Sequence, residues 1–156
     1  MGARRSGREA ALQMLFQIEA SGATAEKAIP LFWRNFDADP EGREYAEEIV
    51  RGVTDMVTEL DKKISAASSN WRIERMTRVD RNLLRLGAWE LAYRADVPRA
   101  VILDEAVELA KSYGTDESSA FVNGVLNEVA EKLGRALEPE GNKPEGGSTP
   151  PAPPKG

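Results

Sequence analysis

At 156 residues, 41% of them hydrophobic, the chain is long enough for one packed domain and too apolar for global disorder. It has no cysteine and no histidine, which excludes disulfides, thiolate nucleophiles and Cys/His zinc sites; a non-enzymatic binding protein without a cofactor is expected. The net charge of −5 excludes a generic polyanion coat, yet Arg4, Arg5 and Arg8 all precede the first acidic residue, Glu9, and form the one cationic patch readable from the sequence.

A first helix is expected from about Arg5 to Ser21, with Ala11, Leu12, Leu15, Phe16 and Ile18 at helical spacing and Gly22 as its stop. Arginine in its first turn opposes the helix dipole, a hint that these side chains serve a ligand. Thr24 caps a second helix to about Phe36, which Pro30 should kink or shorten. Asp37-Ala-Asp-Pro-Glu-Gly reads as a loop. A long helix from about Glu44 to Ala67 follows, with Tyr45, Ile49, Val53, Met56, Leu60 and Ile64 in its apolar stripe. The pattern breaks at Ser68-Ser-Asn-Trp, and Ile73 to Met76 can form one turn. Further helices are expected at Val79–Tyr93 and Ala100–Tyr113, with Gly114 as a left-handed stop. The last runs from about Ser119 to Leu133, capped by Thr115, Asp116 or Ser118. No segment alternates with period two. The fold class is therefore all-α, about six or seven helices in two small packed bundles over residues 1–137. Residues 138–156, rich in Pro and Gly, read as a disordered tail. No apolar run approaches the roughly 18 residues of a membrane helix, none follows the N-terminus as in a secretory signal, and a cytoplasmic location is expected.

Several residues carry more than one reading. Asp104, Glu105 and Glu108 lack the histidines of a di-metal helix pair and read as solvated or helix-N-terminal charges. Gly124, inside an apolar helix, is best explained by tight helix packing, at a cost of roughly 1 kcal/mol in propensity. Asn123 beside it serves either as polar glue or as an exposed recognition group. Trp33, Trp71 and Trp89 read as core or interface residues. Phe16 and Phe121 are open to a core role or to stacking on unpaired bases. The arginines are either a nucleic-acid site or a solvated terminus.

Four stretches in order resemble the NusB family of bacterial transcription antitermination factors. They are Arg4-Arg-Ser-Gly-Arg-Glu-Ala-Ala-Leu-Gln-Met-Leu-Phe, Asp80-Arg-Asn-Leu-Leu-Arg-Leu-Gly-Ala-Trp-Glu-Leu, Asp96-Val-Pro with Asp104-Glu-Ala-Val-Glu-Leu-Ala-Lys-Ser-Tyr-Gly, and Phe121-Val-Asn-Gly-Val-Leu. The resemblance covers about residues 4–134. It implies two helical subdomains that bind boxA RNA of ribosomal RNA operon leaders, as a heterodimer with the small-subunit ribosomal protein NusE, inside an RNA polymerase antitermination complex. It implies RNA contacts for Arg4, Arg5 and Arg8, and for Glu117 and Phe121. It implies a partner contact for Asp80, and places Phe16 near the same functional surface. Where the family often carries a further basic residue, this chain has Ser6 and Gly7, which implies a weaker grip. If three arginines each neutralise one phosphate, the salt slope on single-stranded RNA is about −2, so a partner is needed for firm binding. The rival reading is a protein-interaction adaptor whose basic N-terminus is incidental. NusB-like domains also occur ahead of RNA methyltransferase domains, but this chain has no catalytic cysteine and no Gly-rich cofactor loop.

Overall fold

A computed structural model describes residues 2–135, and the tail expected over 138–156 lies outside the described residues. These contain seven α-helices, one 3₁₀ turn and no strand. The helices are α1 (Ala3–Ser21), α2 (Ala25–Asn35), α3 (Pro40–Asp55), α4 (Val57–Ala67), α5 (Arg78–Tyr93), α6 (Arg99–Tyr113) and α7 (Ser118–Leu133), and the 3₁₀ turn spans Ile73–Arg75.

Local chemistry sets most of the boundaries. Gly22, at φ 78°, ends α1, and its N–H returns to the Ile18 carbonyl. The Thr24 hydroxyl accepts from Lys27 N–H to start α2, which runs through Pro30 to Asn35. Thr77 accepts from Asp80 N–H to start α5, and the Asp80 carboxylate then sits in the first turn, where the helix dipole favours it.

Four expectations are corrected. Asp37–Gly42 is not all loop: Asp39 caps Gly42 N–H and Pro40 opens α3, where its missing N–H costs nothing. The long helix is two, broken at Met56, whose N–H is shared between the Gly52 and Val53 carbonyls. Just before the break, the Thr54 hydroxyl donates back to the Val50 and Arg51 carbonyls, a pattern that bends helices. Gly114 is extended (φ −101°, ψ −164°), and glycine is needed there because a Cβ would lie 2.4 Å from Ser118 Oγ. That same Oγ accepts from Thr115 N–H, and α7 starts at Glu117 with no side-chain cap.

α1 packs mainly on α3, with α2 across both, while α4, α6 and α7 surround α5. α5 also touches α1 and α3, so one continuous core joins the two bundles. Close helix crossings rest on glycine. At Gly87 a Cβ would come within 2.5 Å of Leu126 Cδ1, and at Gly52 within 2.2 Å of Trp89 Nε1. Gly124 is corrected as well, because nothing lies within 4 Å of its would-be Cβ.

Candidate RNA-binding surface

The register of α1 separates its arginines. Arg8 falls in line with Ala11, Leu12 and Leu15 on the buried stripe, whereas Arg5 falls in line with Glu9, Gln13 and Phe16 on the outer one. The Arg8 side chain is 4% exposed and its partner Glu90 1% exposed. Arg8 Nε donates to Glu90 Oε1 at 2.9 Å and Nη2 to Oε2 at 2.8 Å, a fork-on-fork pair. The Tyr45 hydroxyl donates to the same Oε2. Burial pushes the Tyr45 phenol up, and the Glu90 charge adds to the shift. Burial works against the Arg8 charge, yet the Glu90 hydrogen bond and charge outweigh it and raise Arg8 above its ordinary value. Arg8 is thus held in the core by a buried carboxylate.

Arg5 is the opposite case. Its side chain is 56% exposed, with Nε and Nη2 donating to Glu105 of α6 at 3.0 and 2.7 Å. Glu105, read from the sequence as a solvated or helix-N-terminal charge, is the anchor that aims Arg5. The hydrogen bond from Arg5 holds this carboxyl below its ordinary range against partial burial. Arg4 is 46% exposed, reaches Asp96 at 3.2 Å, and lies 5.0 Å over the Tyr45 ring. Arg94 grips the same Asp96 through Nε and Nη2 and crosses the other bundle to Glu48. Its hydrogen bonds hold Asp96 well below the usual carboxylate range. Gly7, where a further basic residue was considered, is buried against α3, and a Cβ there would stand 2.9 Å from the Gly42 carbonyl oxygen. No long side chain fits that position.

The remaining predicted residues lie on three helices, α1, α5 and α7. Phe16 is 37% exposed and borders a shallow groove with Leu12, Val79 and Tyr113. The Tyr113 hydroxyl donates to Glu9 Oε2 at 2.5 Å, and burial pushes this phenol up to about 12. Glu117 is exposed at the start of α7, and Phe121, one turn on, is half-buried with its ring against Trp71. The described contacts of Phe121 run to Trp71 and not to the arginines. Asp80 is 9% exposed, and its Oδ1 is buried without a hydrogen-bond partner.

Trp71 corrects its sequence reading: it is 58% exposed, while Trp33 and Trp89 pack on or in the core. The N-terminal patch is also not alone. Arg72, Arg75, Arg78, Arg81 and Arg85 follow Trp71, and Glu19 gathers Arg78, Arg81 and Arg85 at 3.5, 2.8 and 3.5 Å. Their near three-residue spacing against Glu74 and Asp80 was visible in the sequence, but its first part, Arg72 and Arg75, falls where the helical periodicity lapses. Among the described residues no group of three or more potential ligands could hold a metal ion, and no helix is long and apolar enough to cross a membrane.

A two-bundle helical protein with an arginine-faced first helix has the architecture of a bacterial antitermination factor, and the comparisons agree. The NusB family matches residues 5–131. The chain is 64% identical over 135 residues to transcription antitermination protein NusB of Sorangium cellulosum, covering 86% of this chain and 96% of that protein. It is 50% identical over 139 residues to the protein of the same name from Myxococcus xanthus, covering 86% and 99%. A solved structure of T. maritima NusB superposes with TM-score 0.75 at 36% identity, over 83% of this chain and 91% of that one. A second, antitermination factors NusB and NusE in complex with dsRNA, gives TM-score 0.76 at 26% identity, over 85% and 98%. The chain belongs to the NusB family, and so to the transcription antitermination factors.

Proposed function

We propose that the chain binds boxA-type single-stranded RNA together with the ribosomal protein NusE, in the cytoplasm, as a part of an RNA polymerase antitermination complex and without a catalytic step of its own. The observation that carries this reading is the pair Arg4 and Arg5: two guanidiniums aimed outward from the first turns of α1 by carboxylates on other elements. The solved relative with RNA and NusE supports the choice of ligand and partner. The binding unit is the helical domain expected over residues 1–137.

Within it the roles divide by exposure. Arg4 and Arg5 contact phosphates. Arg8 is a positioning residue, because giving its guanidinium to RNA would strand Glu90 in the core. Glu117 and Phe121 offer a carboxylate and a ring edge to unstacked bases. Phe16 presents its groove edge to the protein partner, while its ring face is covered by Arg78. Asp80 supports that side by fixing the start of α5.

Two phosphate contacts give a salt slope of only about −1.4 on single-stranded RNA, so the partner must complete the surface. A titration of labelled boxA RNA with this chain, alone and with NusE, at two salt concentrations, tests the reading. Arg5→Ala is expected to weaken binding about tenfold while Arg8→Lys acts mainly on folding stability. Equal affinity for a scrambled RNA would remove sequence-specific binding, and no gain from NusE would remove the heterodimer in favour of an adaptor with an incidental basic terminus.

A further inference from the structure

The stretch from Trp71 to Arg78 carries surface chemistry that the fold leaves unused. Ile73 and Met76 turn inward, with Met76 8% exposed, which accounts for the path of the chain. It does not account for the others. The Trp71 indole is mostly exposed, and its ring meets Phe121 edge-on, centroids 5.9 Å apart at 75°. Arg72 is 73% exposed and only 3.7 Å from Glu74, and Arg75 is exposed with no ion pair among the described residues. Arg78, 43% exposed, touches Glu19 at 3.5 Å and lies 5.5 Å over the Phe16 ring.

Trp71 therefore reaches Phe121 and Arg78 reaches Phe16, so one short segment bridges the two aromatic residues that the sequence singled out. Arg5 and Phe16 share the outer face of α1, eleven residues or about 16 Å apart along its axis. A ligand lying on Arg5 and following that face arrives at Arg78. Three guanidiniums against two carboxylates, Glu74 and a Glu19 already shared with Arg81 and Arg85, leave a net positive strip that selects an anion, and an exposed indole selects a flat apolar face. Unpaired nucleic acid presents both along one strand, whereas an acidic peptide presents the charge without a run of rings.

We propose that Trp71–Arg78 forms a second RNA-contact strip, in which Trp71 stacks on an unpaired base while Arg75 and Arg78 neutralise phosphates of the strand held by Arg4 and Arg5. This rests on the boxA reading above and extends its footprint. It doubles the phosphate count, and the expected salt slope steepens from about −1.4 to about −2.8.

The test is a titration of labelled boxA RNA over a range of salt with the full chain, Trp71→Ala, Trp71→Phe, the double variant Arg75→Ala/Arg78→Ala, and Arg5→Ala. All the altered side chains are exposed, and thermal melts followed by circular dichroism check that each variant is folded. Trp71→Ala should weaken binding about tenfold and Trp71→Phe less than about threefold, because the phenyl ring keeps a stacking face. The double arginine variant should flatten the salt slope by about 1.4. If Trp71→Ala and the double variant match the wild type while Arg5→Ala is weakened, the strip is overturned and the boxA reading stands. If the wild type does not prefer boxA over scrambled RNA and Arg5→Ala changes nothing, the boxA reading falls and takes the strip with it. If Trp71→Ala weakens NusE binding without RNA but leaves RNA affinity unchanged, the strip is a protein surface and the proposal is overturned.

Discussion

In the first turns of α1 every arginine is tied to a carboxylate from elsewhere in the fold, Arg4 to Asp96, Arg5 to Glu105 and Arg8 to Glu90. Along residues 72–85 only the helical end is tied so firmly. There Arg85 grips Asp61 through two bonds of 2.8 and 2.9 Å and Arg81 grips Glu19 at 2.8 Å, while Arg72 and Arg75 stand in solvent. The contrast shows that an arginine's hydrogen bonds do not decide whether it is structure or surface. Arg5 and Arg8 both make two-pronged bonds to glutamate. What separates them is the burial of the pair, because a phosphate can share an exposed guanidinium but cannot follow one into the core. Removing three of the carboxylates that organise these arginines, Glu90, Glu19 and Glu105, tests this idea over a falling scale of effect.

Glu90→Ala should have the largest effect. It leaves Arg8 charged and buried and takes the acceptor from Tyr45, for an expected loss of about 3–5 kcal/mol in urea unfolding. The double variant Arg8→Met/Glu90→Leu should recover most of that loss, since a well-packed apolar pair replaces a buried ion pair at little cost. A loss from Glu90→Ala below about 1 kcal/mol would mean the pair is not structural, and Arg8 would return as an RNA contact.

Glu19→Gln comes next. Burial by itself would raise this carboxyl, but hydrogen bonds from Arg81 and Asn82 and the charges of Arg81 and Arg85 hold it below its ordinary 4.5. A depressed carboxyl contributes stability that is complete above its unfolded value and is lost as pH falls through the lower folded value. The wild type should therefore weaken below about pH 4.5, and Glu19→Gln should flatten that acid limb. At neutral pH the substitution should cost about 1–3 kcal/mol, the scale of charged hydrogen bonds in a partly buried site. An unchanged acid limb would show that Glu19 does not organise the cluster.

The helices were legible because their apolar stripes and caps are local. Thr24 and Gly22 act where the sequence puts them. Three-dimensional neighbours decided the rest. The break at Met56 follows from Thr54 bonding back into its own helix, next to a glycine pressed by Trp89 from α5. Gly124 read as a packing glycine, yet the glycines that meet other helices are Gly7, Gly42, Gly52 and Gly87. The candidate site was half legible. The arginines of α1 were evident, but sorting them required noticing that Arg8 shares the register of Leu12 and Leu15, and no local signal identified Glu90 as its partner. Trp71 was missed for the reason that makes it interesting: a tryptophan is assigned to the core by default, and its exposure can only be seen.

The smallest expected effect is the most direct test of the contrast. Glu105 has two opposing influences on an RNA bound at Arg5: it aims the guanidinium, and its negative charge repels the phosphate. Its side chain is 14% exposed and that of Arg5 56%, so the pair sits at the rim, where the charge term is modest and screened by salt. Glu105→Gln removes the charge and keeps one acceptor oxygen, so Arg5 loses little of its aim. BoxA affinity should rise about threefold at low salt, the scale of an exposed ion pair, and the gain should fade as salt is added. Thermal stability should hardly move. A fall in affinity as large as that of Arg5→Ala would mean that aiming outweighs repulsion, and that Arg5 depends on its carboxylate much as Arg8 does on Glu90. The distinction between a structural and a surface arginine on α1 would then rest on solvent access alone and not on competition for the guanidinium.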